Sequence, residues 1–381
     1  MTKAMIIKRV LFSLLIISYG VCISQTQLRR NVYFPDIPGY KTLKCDFHSH
    51  TFLSDGNVSP EYRVNEAWTD GLDVVAITDH IDERPKVKFD KKGKIELYRL
   101  AYAAAKKTGI VLIPGGELTK LRPVGHYNML FIHAFCSVKR GCYFNVLKRA
   151  KAQSAFIIWN HPGWSRYNKV SRWYKVQSKI YHNGLMNGIE IVNGTKTYPA
   201  AFQWALEKGL TIFGNSDIHD STKNAYREIN GEHRPMTLVF SKDTSLQLIK
   251  ESLLAKRTVV YEGNRLYGDE KYLIPLFNAS IEMMDADIIL HKSLPSDSTV
   301  LYITNHSCID YKLKLAGEIT GLTFPIELTL KAYSENMFTV KSNDEALVSD
   351  DDYKCIYTIE NLFKSPAENI QIKIPVHIRI L

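Results

Sequence analysis

The chain has 381 residues, 45% of them hydrophobic and 23% charged, with a formal net charge of +10. This is ordinary globular composition, long enough for one large domain and a smaller one, and it contains no low-complexity tract. The positive excess suits anionic small molecules, but no Lys/Arg block is dense enough to give a nucleic-acid footprint.

At the N-terminus Lys3, Lys8 and Arg9 precede VLFSLLIISYGVCIS, an apolar run too short to span a bilayer comfortably. Residues 1–24 therefore read as a secretory signal peptide with cleavage near Ser24–Gln25. The mature chain, at a charge of +7 without those three cations, is expected to be secreted or periplasmic with no transmembrane helix. Acylation at Cys22 is the alternative, but Val21 stands where lipoprotein signals carry a small residue. Five cysteines remain, Cys45, Cys136, Cys142, Cys308 and Cys355, and none has CxxC spacing. Cys308 and Cys355 suit either a disulfide in an oxidising compartment or two buried thiols.

From residue 41 to about 268, apolar strand-like runs alternate with helical patterns. The strands are TLKCDFH (42–48), DVVAITDH (73–80), IVLIPGGEL (110–118), HYNMLFIH (126–133), AFIIWNHP (155–162), GIEIVNG (188–194) and LTIFGNSDIH (210–219). Their Val, Ile, Leu and Phe content with little polar alternation predicts strands buried on both faces of a parallel sheet. Helices fit between most of them. SPEYRVNEAWTDG offers Ser59 as N-cap, Pro60 in the first turn and Gly71 as a stop, and IELYRLAYAAAKKTG, AAFQWALEKG and DTSLQLIKESLLAKR have similar character. The third and fourth strands have no helix between them, so a hairpin or irregular loop is expected there. Repeated strand–helix units predict an α/β barrel or a doubly wound sheet over residues 41–268. Residues 269–381 are short, β-rich runs with no evident helix, a small β-sandwich in which Pro375 favours an edge strand.

The polar residues fall at the strand ends. In KCDFHSHTFLSDG, His48 and His50 point to one face of an extended chain and Asp55 can curl back towards them. His80 closes the second strand, Glu117 follows paired glycines in the third, His161 closes the fifth, and Asp217 and His219 end the seventh. Only the sixth strand brings no ligand-type residue to this set. The C-terminal strand ends of a parallel barrel share one rim, so these groups can converge. His126 opens the fourth strand instead, so a reversed strand or a loop has to bring it in. Nine residues are too many for one ion and suit two or three ions sharing carboxylates. Imidazole and carboxylate without thiolate point to Zn, Mn or Fe rather than Ca or Mg.

In order, DFHSHTFLSDG, AITDH, GGE, His126, NHP and SDIH resemble the motifs of the polymerase-and-histidinol-phosphatase (PHP) superfamily, over residues 44–268. The resemblance implies a distorted seven-stranded (β/α) barrel, a trinuclear metal site and phosphoester hydrolysis. It implies one ion at His48, His50, Glu117 and Asp217, a second at Asp55, His80 and His219, and a third where Glu117 joins His126 and His161. The leader and the β-rich tail look closer to secreted, stand-alone PHP phosphodiesterases that accept small phosphodiesters. The expected nucleophile is a metal-bridging hydroxide, since no Ser or Cys stands in a nucleophile motif. For substrate contacts, PGWSRYNKVSRWYK (162–175) is a basic and aromatic wall, and the loop after the seventh strand nominates Arg227. The competing readings are a phosphomonoesterase, a hydrolase of C–N or C–O bonds, which commonly wants a Lys between two metals, and a metal-stabilised binding protein.

Overall fold

The computed structural model describes residues 28–82, 96–138, 141–164, 170–227, 231–284, 287–290, 298–317, 320–342 and 351–380; the leader and Cys22 lie outside them. Strands β1 (Lys41–Asp46), β2 (Val74–Ile77) and β3 (Val111–Leu118) run parallel. The next strand, β4 (Tyr127–Leu130), is antiparallel to both β3 and β5 (Phe156–Trp159). Beyond β5 the direction is restored. β6 (Gly188–Asn193) is parallel to β5, the two-residue β7 (Lys196–Thr197) folds back on β6, and β8 (Thr211–Asn215) is parallel to β6. The missing helix between the third and fourth predicted strands is the sequence trace of that one reversed strand.

Two strands absent from the sequence prediction, β9 (Met236–Ser241) and β10 (Thr258–Glu262), complete the wall, β9 pairing antiparallel with both β1 and β10. They meet β8 through hydroxyls instead of a backbone ladder. Gly214 N–H donates to Thr237 Oγ1 at 3.0 Å and Thr258 Oγ1 donates to the Ile212 carbonyl at 3.1 Å. The barrel interior is solid, filled by Cys45, Phe47, Ile113, Phe156, Ile158 and Phe213 among others. Outside, the helix Pro60–Thr69 starts as expected, with Ser59 Oγ accepting from Tyr62 N–H at 3.0 Å.

The chain then makes β11 (Arg265–Gly268) and a helix, Glu270–Ser280, where the sequence suggested only strands. Pro275 inside it obscures the helical pattern. Tyr272, Leu273, Leu276 and Phe277 nevertheless form one buried face, and Asp269 caps it through Lys271 N–H. The sandwich follows. One sheet holds β12 (Ile281–Met284), β14 (Ser298–Asn305), β16 (Leu322–Thr323) and β18 (Ser334–Ser342). The other holds β13 (Asp287–Leu290), β15 (Tyr311–Gly317), β17 (Glu327–Leu330), β19 (Asp351–Phe363) and β20 (Asn369–Ile380). β20 is not an edge: β19 flanks it on one side and β13 on the other. The β13 ladder begins only at His377, two residues past Pro375, so the missing proline N–H costs no bond there.

Barrel and sandwich share one apolar core, running from Val64, Val75 and Leu266 through Leu273 and Phe277 to Tyr311 and Tyr357. β11 pairs with β19, and Asn361 Nδ2 donates to the carbonyls of Asn264 and Asp310 at 2.7 and 2.8 Å. None of Cys45, Cys136, Cys142, Cys308 and Cys355 forms a disulfide, and Cys355 is a buried thiol. Among the described residues no helix is long and apolar enough to cross a membrane.

Candidate metal centre

After β1 the chain is pinned from below. Asp46, fully buried, accepts from the N–H groups of His48 and Ser216 at 3.1 and 3.2 Å and pairs with the buried Arg234 at 2.9 Å. Residues 48–50 then run beside 216–218, with Asp217 N–H donating to the His48 carbonyl and His50 N–H to the Ile218 carbonyl, each at 2.9 Å. Arg63, also fully buried, bonds the carbonyls of His50 (3.0 Å) and Asp220 (2.9 Å) with one guanidinium. Two loops about 170 positions apart are thereby held side by side.

The Asp55 turn closes on this pair. Asp79 takes the N–H and hydroxyl of Thr51 (both 2.7 Å) and the hydroxyl of Ser54 (2.6 Å). Gly56 lies against the backbone of residues 50 and 51, where a Cβ would come within 2.8 Å of the His50 carbonyl carbon. Its role is close approach. Gly56→Ala must push the turn outward, and Asp55 with it. The variant is expected to keep its fold by circular dichroism but to retain roughly 10-fold less metal after dialysis, the scale seen when a ligand loses its support. Full metal retention would show that the turn tolerates the displacement.

Glu117, at the end of β3 and 1% exposed, is the centre of the cluster. Its Oε1 lies 3.2 Å from His126 Nδ1, 3.5 Å from His48 Nε2 and 3.6 Å from His161 Nε2, and accepts from Asn160 Nδ2 at 2.7 Å. Its Oε2 lies 2.7 Å from His80 Nδ1 and 3.7 Å from His50 Nε2. His126 arrives because β4 is reversed, so the start of that strand shares the rim with the ends of the others. Asp217 Oδ1 is 3.1 Å from both His48 Nε2 and His50 Nε2. Asp55 faces His80 and His219 at 3.4 Å each. Two of these residues, His161 (φ 26°) and Asp217 (φ 52°), hold left-handed backbone, a strain that gathers at functional sites.

All nine predicted residues thus converge. They form four overlapping groups, His50–Asp55–His80–His219, His48–His50–Glu117, His48–His161–Asp217 and Glu117–His126–His161, each with donor atoms within 4.8 Å of one another. Two donors about 2.1 Å from one ion at a tetrahedral angle lie about 3.4 Å apart, close to the 3.1–3.8 Å separations around Glu117 and Asp217, His80 alone standing nearer at 2.7 Å. Glu117 Oε2 is buried with no well-aligned hydrogen bond, its nearest donor atom being His80 Nδ1 at 2.7 Å. A buried carboxylate oxygen needs a positive partner, which an imidazolium supplies in the metal-free site and a metal ion can supply in its place. These residues fit divalent metal ions.

Sequence reading missed Glu190. It sits inside the sixth strand, fully buried, and accepts from His48 Nδ1–H and His161 N–H at 2.7 Å each, with Asn215 at 2.9 Å and Asn193 at 3.0 Å. It fixes His48 with Nε2 facing the cluster. The signal was present as a lone carboxylate in an otherwise apolar strand, GIEIV. Arg227, the nominated substrate contact, is exposed and does not line the cleft. Its loop neighbour Arg234 is buried against Asp46 and Asp70. The cations that do line the cleft among the described residues are Lys120, paired with Asp82, and Arg122, which donates to the Pro162 carbonyl at 2.9 Å. Of the aromatic wall, Trp164 and Tyr174 reach the cleft, Trp173 packs on Trp159 and Trp204, and residues 165–169 lie outside the described ones.

Burial opposes the imidazolium at His48, His80, His161 and His219, but the surrounding carboxylates outweigh it and raise all four, His80 to about 10. Burial together with neighbouring His219 lowers His50 to about 4, against the pull of Asp217. Burial also opposes charge on Glu117 and Asp217, yet the imidazoles hold both well below the usual carboxylate range. The metal-free site therefore carries protons at pH 7. The raised His80 stabilises the metal-free fold fully below its ordinary value of about 6.5, and that contribution is lost as pH rises through about 10. A ligating imidazole must shed its proton, so metal affinity should rise with pH. Titrating Mn²⁺ or Zn²⁺ into chelator-stripped protein at pH 7, in buffers of different ionisation heat, is expected to register net proton release. Zero release would contradict this charge pattern.

The cluster floors a cleft of about 870 Å³. His48 and His50 are fully covered, whereas Asp55 and His219 are 39% exposed at the mouth. A crystal structure from Bacteroides vulgatus ATCC 8482, described as a two-domain protein containing a predicted PHP-like metal-dependent phosphoesterase, is 35% identical to this chain. The match covers 91% of this chain and 99% of that one, with a TM-score of 0.83. Weaker likeness, covering 46–47% of this chain, extends to a candidate metal-dependent phosphoesterase from Bifidobacterium adolescentis ATCC 15703 (17% identity, 88% of that chain, TM-score 0.36) and to an amidohydrolase from Chromobacterium violaceum (16%, 88%, 0.34). A family model described as an Ig-like domain matches residues 289–375. No curated protein matches the chain.

Proposed function

The chain belongs to the PHP-like metal-dependent phosphoesterases, and from that premise we propose that it is an exported phosphodiesterase acting on small anionic diesters with two or three Mn, Zn or Fe ions. The observation that carries this reading is Glu117, a single buried carboxylate within 3.7 Å of five imidazoles from four different strand ends. A structural site closes around one ion with four ligands and leaves no open position. Here nine donor residues gather, Glu117 and Asp217 at their centre, and one side opens into a cleft.

When bound, divalent ions acidify a coordinated water and neutralise the phosphoryl oxygens. The protein's own part is placement. Asn160 orients Glu117, Glu190 fixes the His48 ring, and the Asp46–Arg234 and Arg63 contacts keep both ligand loops in register. The exposed edge at Asp55 and His219 is the side from which a phosphoester approaches. Among the described residues the lysine that lines the cleft is Lys120, and it is tied to Asp82, which disfavours a lysine-bridged hydrolase of C–N bonds.

A phosphomonoesterase would use the same ligands, so the test compares turnover. Metal-loaded protein is expected to cleave bis(p-nitrophenyl) phosphate with higher kcat/KM than p-nitrophenyl phosphate, and a chelator should stop both. The reverse ratio would identify a monoesterase, and no cleavage of either would sink the reading. Export rests on the layout of residues 1–24, and a mature N-terminus at Gln25 in the periplasm or medium would support it.

A further inference from the structure

Trp164 stands between two hollows. It lines the metal cleft and also a neighbouring groove of about 440 Å³ with Val170, Ser171, Lys196, Tyr198 and Pro199. Its position is built into the turn after β5. His161 takes left-handed backbone, Trp164 N–H donates to the His161 carbonyl at 2.8 Å, and Gly163 packs so closely on Tyr198 that a Cβ would come within 2.6 Å of its ring. The indole consequently lies 5.2 Å from the His126 ring and 5.7 Å from the His161 ring, centroid to centroid. It is also 46% exposed, Val170 is 55% exposed, and Leu121 on the cleft rim is 89% exposed. Large apolar side chains left open along the cleft and the adjoining groove, with Trp164 lining both, mark a recognition surface. Lys196 is the groove's charged residue among those described.

We propose that this groove receives a planar aromatic ring on the second alcohol of the phosphodiester, the ring stacking on Trp164 while the phosphoryl group sits over the Glu117 cluster. The assignment rests on the phosphodiesterase reading and narrows its substrate class. Stacking on an indole is available to any flat ring. Simple aryl esters and nucleoside esters share that chemistry, and the contact of Trp164 with two ligand rings places it within reach of a group joined directly to phosphorus.

The test uses three p-nitrophenyl phosphodiesters with one common leaving group, the second alcohol being methyl, phenyl or thymidine. The full-length, metal-loaded protein is expected to prefer phenyl or thymidine over methyl in kcat/KM, and the larger gain tells which kind of ring the groove takes. In Trp164→Ala the ring-over-methyl ratio should fall about 10-fold, the loss produced by removing one stacking aromatic, mainly through KM, and Trp164→Phe should restore most of it. Because the ratio is taken within one preparation, partial misfolding cancels. Equal kcat/KM for all three esters in the natural protein, or an unchanged ratio in Trp164→Ala, overturns the ring subsite and leaves the phosphodiesterase reading standing. No hydrolysis of any of the three overturns that reading itself.

Discussion

Glu117→Gln lowers hydrolysis of every phosphoester by about 10³-fold or more and removes most of the bound metal. The amide preserves the shape of the side chain and a partner for Asn160, but it deletes the charge that His126, His48 and His80 share. Charge stabilisation by bound metal is worth several kcal/mol in the transition state, and about 1.4 kcal/mol corresponds to each factor of ten. The metal-free variant should still fold. Buried imidazoliums that lose a counter-charge release their protons rather than stay charged. The expected pattern is therefore a melting temperature close to that of the chelated natural protein, with little of the gain that added metal normally brings. Metal content by mass spectrometry and melting with and without chelator measure both arms. A full metal complement with natural turnover would remove Glu117 from the centre of the site.

Glu190→Gln should act differently. Glu190 touches none of the cleft. Its two oxygens receive four donors, from the His48 ring, the His161 backbone, Asn193 and Asn215. An amide must turn an NH₂ towards at least one of them, leaving a buried donor unsatisfied at a cost of about 1–3 kcal/mol. The His48 ring also loses the acceptor that sets its tautomer, and outer partners of this kind are worth about 10–100-fold in metal affinity. Competition against a coloured chelator should show that weakening, and excess metal should restore most of the turnover. Excess metal should not rescue Glu117→Gln. If both variants respond alike, the distinction between a residue that meets the ions and one that holds a ligand in place is wrong.

Residues 48, 50, 55, 80, 117, 161, 217 and 219 could be chosen from the chain because each follows or ends an apolar run, and strand–helix repetition sends those ends to one rim. His126 broke that rule, and the absent helix before it pointed to the reversal that the β3–β4 pairing shows. Glu190 was passed over because a carboxylate within a buried strand gives no local sign of which donors surround it. Arg227 follows the seventh strand and offers a guanidinium that matches a phosphate, yet it is exposed away from the cleft, which Arg122 lines. The helix Glu270–Ser280 was hidden by Pro275, since its apolar face matters only against the core shared by the two domains.

Composition, strand periodicity and the order of the polar strand ends determined by themselves an α/β domain, barrel or doubly wound, with a β-sandwich behind it and a set of candidate metal ligands gathered at strand ends, and the PHP resemblance chose the barrel. These are properties of short windows, where side-chain direction follows from backbone period. Only the tertiary structure decided which donors share which oxygen, that Arg63 and Arg234 brace the ligand loops from behind, and that Trp164 opens onto a second groove. Those facts depend on distances between separate segments of the chain, some neighbouring and some well over a hundred positions apart, and such distances come from packing.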